Sequence, residues 1–323
     1  MSQVKTEADL FAADGNVMAV VSLIRFFTSG RHQWTLDLEA VGAVEQFFAV
    51  NVPTLLGSIG ALARKAWTTK VAWTPASGLS EQRPTYEVSA ATVEAVLIDL
   101  GRPGVLVVED LVSDRVFIDA LVYVFGDFHI KLALSEGWLE VRHAGGGGRV
   151  VAVAEDEAQK FMVIARVGSM IDSDSLYPGH RTRAYMTAEH LIGLGLSCHV
   201  LAYREIENYI PNRAFATVRP PADTHRRLRA LKRLDHSQRG HIDMKKGLGR
   251  RDGRFARMPQ EHQDLYGSVP ENILAELDDG FGVNAICCLE RAASAMTVRD
   301  YAALGVNVHG ELVELLSMLR SLI

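Results

Sequence analysis

The strongest constraint on the fold of this chain is a short aliphatic run that stops abruptly at two acids. Val105 to Val108 contains no polar residue and is followed directly by Glu109 and Asp110. A continuous run of this kind is typical of a strand that is buried on both faces of a parallel sheet. Apolar positions at helical spacing then extend to Val124, which predicts a crossover helix with Ser113 as its N-cap.

The same alternation continues along the chain. Further strands are expected at 139–142, 167–171 and 196–201, with helices at about 155–164 and 182–194. Strands that alternate with helices predict an α/β fold in which a parallel sheet is flanked by helices. We therefore expect a helical N-terminal region (1–100), an α/β domain (101–212), and a basic segment followed by a helical C-terminal region (213–323). The N-terminal region is expected to contain a surface loop from Thr74 to Pro84.

Composition restricts the class of protein. The chain has 323 residues, of which 48% are hydrophobic and 23% charged, as in ordinary globular proteins. Its three cysteines have no metal-binding or disulfide-rich spacing. The polar N-terminus does not resemble a signal peptide, and the apolar stretch 17–24 is too short to span a membrane. These features predict a cytoplasmic protein without a membrane partner.

Acidic side chains follow three of the expected strands. Because parallel strands end at the same edge of a sheet, these acids are expected to converge there. Taken alone, each of these residues could simply be a solvated acid at the protein surface. Asp114 could also be an acid in the first turn of a helix that interacts with the helix dipole. Together they would repel one another unless cations neutralised them, and carboxylate oxygens favour Mg²⁺ or Mn²⁺. The candidate metal ligands are Glu109, Asp114, Asp172, Asp174, Glu205 and Glu207.

A basic segment follows these acids. Between Arg213 and Arg257 there are 14 Lys and Arg residues against four acids, although the whole chain has a net charge of −5. Such a segment can bind a polyanion by releasing its counterions. A solvated helix face and a contact with an acidic partner subunit are the alternatives. The candidate nucleic-acid contacts are Arg226, Arg227, Arg229, Arg233, Lys246, Arg250 and Arg251.

Three motifs resemble the Toprim domain, the metal-binding module of topoisomerases, primases and overcoming-lysogenisation-defect (OLD) nucleases. They are VLVVEDLVSDRVF (105–117), SMIDSD (169–174) and LAYREIENYIP (201–211). The closest similarity is to the OLD-type branch found in bacterial anti-phage nucleases. One position differs, because Asp110 stands where that family has glycine. Asp110 is therefore either an additional ligand or a departure from the family's site.

This resemblance implies metal-dependent cleavage of phosphodiester bonds with two cations. Glu109 and Asp114 would hold one cation, and the second would be held or shared by Asp172, Asp174 and Glu207. The family often has a lysine downstream, for which Lys245 is our choice and Lys246 the alternative. The implied catalytic residues are Glu109, Asp172, Asp174 and Lys245.

The expected function is that of a nuclease acting on DNA or RNA, as the effector of a phage-defence system. The glycine run 145–148 predicts a flexible turn, because no Gly-Lys-Ser/Thr follows it and the chain has no other ATPase motif. A separate ATPase subunit is therefore expected, docked on the helical flanks, which could also form a homodimer. The alternatives are a Toprim enzyme of another class, such as a primase or topoisomerase, and a catalytically inactive Toprim module that binds nucleic acid.

Overall fold

The N-terminal region combines helices with a small parallel sheet. The computed structural model describes residues 2–12, 14–72, 85–217, 221–251, 253–255 and 258–323. Strand β1 pairs with β2 on one side and with β3 on the other, in both cases in parallel. The elements are β1 (Gln3–Thr6), α1 (Val17–Thr28), β2 (Gln33–Leu36), α2 (Leu38–Asn51), α3 (Leu56–Ala72), β3 (Thr85–Val88) and α4 (Val93–Gly101).

Our prediction of a helical N-terminal region omitted this sheet. Each of its strands has only four residues, and β1 and β3 alternate buried and less buried positions within that short length. So brief an alternation gives little periodic signal beside three long helices. The sheet and helices share one hydrophobic core that includes Val4, Phe48 and Tyr86. The predicted surface loop from Thr74 to Pro84 lies outside the described residues.

The central element is a four-stranded sheet in the order β5-β4-β6-β7, with every pair parallel. This confirms the predicted α/β class with a parallel sheet flanked by helices, and the four strands lie within two residues of their predicted bounds. The elements are β4 (Gly104–Val108), α5 (Leu111–Phe125), α6 (Phe128–Ser135), β5 (Leu139–His143), α7 (Val150–Ala158), β6 (Val167–Ile171), α8 (Arg183–Gly193) and β7 (Ser197–Val200).

Strand β4 contributes to a separate core on each face of this sheet. Leu106 and Val108 belong to the larger core with α5 and the C-terminal helices. Val105 and Val107 pack with α7 and α8 on the opposite face. Successive side chains of a strand point to opposite faces, so an uninterrupted aliphatic run is what a strand covered on both sides requires.

Two helix starts differ from the prediction. The N-cap of α5 is Asp110, whose carboxylate accepts the N–H of Val112 at 3.1 Å, whereas Ser113 lies inside the helix and donates its hydroxyl to Asp110 at 2.8 Å. Helix α7 begins at Val150, earlier than predicted, and ends at Ala158. Gly145 and Gly146 have positive φ angles, which turn the chain sharply enough for the helix to start almost directly after the glycine run.

The C-terminal region completes the core of the central sheet. Leu312, Leu316 and Leu319 of the last helix, α16 (Val308–Leu322), belong to the same hydrophobic cluster as Leu106 of β4. The backbone of Leu322 lies so close to Gly104 that a Cβ there would overlap it. The packing is therefore continuous across residue 212, where we placed a domain boundary.

The rest of this region consists mainly of short helices. They are α9 (Asn212–Phe215), α10 (Pro221–Leu231), α11 (His236–His241), α12 (Gln260–Tyr266), α13 (Glu271–Glu276), α14 (Cys288–Ala292) and α15 (Val298–Ala302). Strands β8 (Arg250–Arg251) and β9 (Arg254–Phe255) form an antiparallel pair. Within the described ranges, no helix has the length and apolar character needed to cross a membrane.

Candidate functional site

The carboxyl edge of the central sheet gathers the acidic residues predicted from the sequence. Glu109 follows β4 and Asp172 follows β6, and the segment after β7 leads into a 3₁₀ turn, Ile206–Tyr209, that carries Glu207. Because all four strands are parallel, these segments leave the sheet at the same edge. Glu207 is 1% exposed, Asp114 and Glu205 are also buried, and Glu109 and Asp172 are half-buried.

The charges of these side chains affect one another's pKa, as expected of acids that lie close together. Burial raises the pKa of Asp114 to about 7, with the charges of Glu109 and Glu207 adding to the rise and the N–H of Asp110 opposing it. Burial, followed by the charges of Asp114 and Glu207, raises the pKa of Asp172 well above its usual value. Carboxylates crowded in this way favour protonation or a nearby cation.

Glu109 and Asp174 form the more open side of the cluster. Burial raises the pKa of Glu109, and the charge of Asp174 adds to that rise. Asp174 itself is exposed and has a φ of 53°, a left-handed conformation that aspartate tolerates better than most residues. Its N–H donates to the carbonyl of Arg204 at 2.9 Å, which holds this turn against the segment after β7.

Ser173 lies between the two aspartates in the sequence. Its buried hydroxyl donates to the carbonyl of Tyr203 at 2.7 Å. Asp172 accepts the N–H of Ile206 at 3.1 Å. These contacts tie the end of β6 to the segment after β7, so the two acidic segments have a fixed relationship.

A lysine lies among the buried acids. The Nζ of Lys245 is 3.0 Å from Oε2 of Glu205 and 3.2 Å from Oε2 of Glu207. Burial alone would lower the pKa of Lys245, but the two glutamates outweigh it and raise that pKa. Lys246 is exposed and has no ion pair with another described residue. Of the two lysines that the sequence left as alternatives, Lys245 is the one that contacts the carboxylates.

Asn208 and Tyr209 fix the segment that carries the glutamates. The amide of Asn208 donates to the carbonyls of Arg239 at 2.9 Å and Ile242 at 3.0 Å. These bonds attach the loop that carries Lys245 (the lysine loop, 242–249) to the 3₁₀ turn Ile206–Tyr209. The hydroxyl of Tyr209 donates to Glu311 at 2.6 Å. Nothing in the local sequence indicates this role for Glu311, which lies about a hundred residues away in α16 and has no local motif.

Two positions near Glu109 have roles that the sequence did not settle. Asp110 is exposed and its carboxylate caps α5, so it is engaged by the helix and does not add to the buried group of acids. Gly147 lies against the Glu109 carboxylate, and a Cβ there would be 3.0 Å from Oε2 of Glu109. The glycine run consists of a bend at Gly145 and Gly146 followed by a 3₁₀ helix, Gly147–Arg149, and its backbone closes over one of the candidate ligands.

The predicted nucleic-acid contacts of the basic segment divide into paired and free side chains. Arg226 contacts Asp223 at 2.9 Å, Arg227 lies 3.9 Å from Asp279, and the side chain of Arg250 is 1% exposed between Glu271 and Asp278, each at 2.8 Å. Arg250 is therefore part of an ion-pair network. The acids of 271–279 neutralise part of the basic segment. The predicted contacts that are exposed and have no ion pair to another described residue are Arg229, Arg233, Lys246 and Arg251.

The donors of the site fit a hard divalent cation in chemistry. They are carboxylate oxygens, and the buried Oε2 of Glu207 accepts no hydrogen bond within the described structure, although Lys245 lies at ion-pair distance. No group of three or more His, Cys, Asp or Glu side chains among the described residues already has the arrangement of a metal site. Side-chain rotations would therefore have to accompany cation binding.

Comparisons of this chain with protein-family models, with curated proteins and with solved structures found no significant match. The assignment of a function therefore depends on the motifs and on the geometry of the site.

Proposed function

We propose that this chain is a Toprim-type nuclease that cleaves phosphodiester bonds of DNA or RNA with Mg²⁺ or Mn²⁺. The observation that carries the proposal is the convergence of Glu109, Asp114, Asp172 and Glu207 at the carboxyl edge of a parallel sheet, with Lys245 among them. The raised pKa values of Glu109, Asp114 and Asp172 are of the kind that clusters at functional sites. The three Toprim-like motifs supply these same side chains.

Each side chain has a role in this proposal. Glu109 and Asp114 hold one cation, while Asp172, Asp174 and Glu207 hold or share the second. Bound there, divalent cations would lower the pKa of a water molecule and stabilise charge on the leaving oxygen. Lys245 supplies positive charge to the scissile phosphate from the buried side of the site. The left-handed backbone of Asp174 keeps its carboxylate at the solvent side, near Glu109.

The proposed nucleic-acid contacts are the exposed cations of the basic segment. Arg229, Arg233, Lys246 and Arg251 are not neutralised by described acids, so they can contact phosphates without breaking an ion pair. Lys246 is adjacent in sequence to Lys245 and would lead the backbone of the nucleic acid towards the carboxylates. Phosphate contacts of this type give affinity without sequence specificity.

Control by a separate ATPase subunit remains part of the proposal. A nuclease without its own nucleotide-binding motif needs another source of regulation, and the chain has none of the P-loop type. As the effector of a phage-defence system, it would be activated by that partner. A homodimer is the alternative way of covering the helical flanks.

One observation favours a second function, that of an inactive Toprim module that binds nucleic acid. Lys245 already neutralises two of the carboxylates, and the described side chains are not preformed as a metal site. This module would bind nucleic acid equally well with and without divalent cations and would not cleave it.

The deciding experiment is an assay of purified protein on plasmid, single-stranded DNA and tRNA with Mg²⁺, Mn²⁺ or EDTA. We expect cleavage that requires the cation and that disappears in Asp172→Asn. If every nucleic acid is bound but none is cut, with the proposed ATPase partner present or absent, the inactive module is supported instead. If none is bound or cut, both functions are contradicted.

A further inference from the structure

Glu205 differs from the other acids of the site because both of its carboxylate oxygens are already engaged. Oε1 accepts the N–H of Met244 at 3.1 Å, and Oε2 lies 3.0 Å from the Nζ of Lys245. Its side chain is 8% exposed. Both contacts are therefore made in a buried position, where charge-assisted hydrogen bonds are strongest.

Glu207 pairs with the same lysine, but its buried Oε2 has no hydrogen bond from the backbone of the described residues. It is 1% exposed, yet its Oε2 accepts no hydrogen bond within the described structure and is only at ion-pair distance from Lys245, at 3.2 Å. Both glutamates pair with Lys245 through Oε2, but Glu205 would also have to release the N–H of Met244 before its Oε1 could bind a cation. The two glutamates are only two residues apart, but they are not equivalent as ligands.

The contacts of Glu205 belong to a larger set that fixes the backbone of the lysine. Asp243 accepts the N–H groups of Lys245 at 3.0 Å and Lys246 at 2.7 Å, and Arg204 donates to its other oxygen at 3.2 Å. Glu205 adds a contact to the N–H of Met244. Three consecutive N–H groups are therefore bound by these two acids, and Glu205 is the one that also contacts the ammonium group.

We propose that Glu205 is a positioning residue for Lys245 and is not a metal ligand. This inference rests on the proposed nuclease function and corrects the sequence-based choice of Glu205 as a ligand. Glu205 holds the ammonium group beside Glu207, from where it can reach a phosphate bound at the carboxylates. Its effect on cleavage passes entirely through Lys245.

The first test compares Mn²⁺ binding, measured by electron paramagnetic resonance, in Glu205→Gln and Glu207→Gln. Glutamine retains an oxygen that can accept the N–H of Met244, so the fold should be preserved. We expect Glu207→Gln to weaken Mn²⁺ binding at least tenfold and Glu205→Gln to leave it within about twofold of the wild type. Equal losses in the two variants would overturn the inference.

The second test is a double-mutant cycle on the cleavage rate. Glu205→Gln alone and Lys245→Met alone should each slow cleavage, by about tenfold or more. Adding Glu205→Gln to Lys245→Met should cause no further loss, because the residue through which Glu205 acts is already absent. A fully additive double variant would show that Glu205 acts independently of the lysine.

The same variants keep this inference separate from the proposed function. A wild-type protein that neither cleaves nucleic acid nor binds Mn²⁺ contradicts the nuclease proposal. In that case a double-mutant cycle on the free energy of unfolding of the metal-free protein still tests the interaction between Glu205 and Lys245. Coupling between Glu205→Gln and Lys245→Met of at least tenfold supports the fixing of Lys245 by Glu205, and additive effects contradict it.

Discussion

The backbone of Gly147 lies directly against the carboxylate of Glu109. A Cβ at Gly147 would be 3.0 Å from Oε2 and 3.1 Å from Oε1, closer than side chains normally approach. The N–H groups of Gly147 and Asp172 face the same carboxylate and oppose the rise in its pKa. The glycine run thus helps to orient an acid at the end of the neighbouring strand.

Gly147→Ala is therefore expected to displace Glu109 and slow cleavage by about tenfold to a hundredfold. Gly148→Ala is the matched control, because a Cβ there meets nothing within 4 Å and neither glycine has a positive φ angle. The measurement is the cleavage rate of each variant, corrected for the folded fraction that circular dichroism gives. Wild-type rates in Gly147→Ala would show that the orientation of Glu109 is unimportant.

Asp172→Asn and Glu109→Gln should abolish cleavage while leaving the fold intact. Each removes a negative charge from a group of acids that repel one another, so the metal-free variants should be at least as stable as the wild type at pH 8. The amide oxygen introduced by Asp172→Asn can still accept the N–H of Ile206. Cleavage assays together with urea unfolding provide the measurement, and full activity in both variants would contradict the metal-site assignment.

Asp114 predicts how the stability of the metal-free protein depends on pH. Its pKa is about 7 in the folded protein against an ordinary value of 3.8, so between about pH 4 and 7 the folded state binds more protons than the unfolded state. The contribution of Asp114 to the free energy of unfolding is therefore present at low pH and lost as the pH rises through this window.

We expect Asp114→Asn to match the wild type near pH 4 and to be more stable near pH 8, by on the order of 2 kcal/mol. The amide introduced by this substitution retains an oxygen for the N–H of Asp110. Asp119→Asn is the control, because Asp119 is an exposed residue of the same helix that pairs with Arg115. Urea unfolding at both pH values with EDTA checks the difference. A constant offset at the two pH values would contradict the prediction.

Replacing Arg229, Arg233, Lys246 and Arg251 by Gln should weaken nucleic-acid binding across sequences and flatten its salt dependence. These four are the predicted contacts that are exposed and have no ion pair with another residue that the structure describes, and removing one phosphate contact reduces the salt slope by about one. Fluorescence anisotropy at several salt concentrations measures both effects. Arg25→Gln, on the exposed side of α1, is a control for total charge. Unchanged affinity and slope would assign the segment to a protein interface.

Arg250→Gln is expected to behave differently from those four. It removes a side chain that is 1% exposed and that pairs with Glu271 and Asp278, so it should lower the free energy of unfolding. Any loss of nucleic-acid affinity should disappear when the folded fraction is taken into account. Weaker binding with unchanged stability would restore Arg250 as a phosphate contact.

The isolated chain is expected to be weakly active until a partner acts on it. Size-exclusion chromatography with light scattering, alone and with the product of the neighbouring gene, measures assembly, and cleavage assays on the same fractions measure activation. A monomer with full activity and no affinity for that product would contradict control by a separate subunit.

The sequence by itself determined the central sheet and the edge where its acids gather. The run from Val105 to Val108 is typical of a strand that is buried on both faces, which predicts helices on both sides of a parallel sheet. Parallel strands then place the residues that follow them, such as Glu109 and Asp172, at one edge. These conclusions depend on local patterns, which is why the strands were predicted within two residues.

Tertiary structure alone decided which charged residues meet. Lys245, and not Lys246, contacts the glutamates because Asn208 attaches the lysine loop to the turn that carries them. The side chain of Arg250 is buried where it pairs with Glu271 and Asp278. Such pairs join residues that are tens of positions apart in the chain. The spacing of apolar residues specifies which faces are buried, but a charged side chain finds its partner only after those faces have packed, so the sequence alone could not assign these contacts.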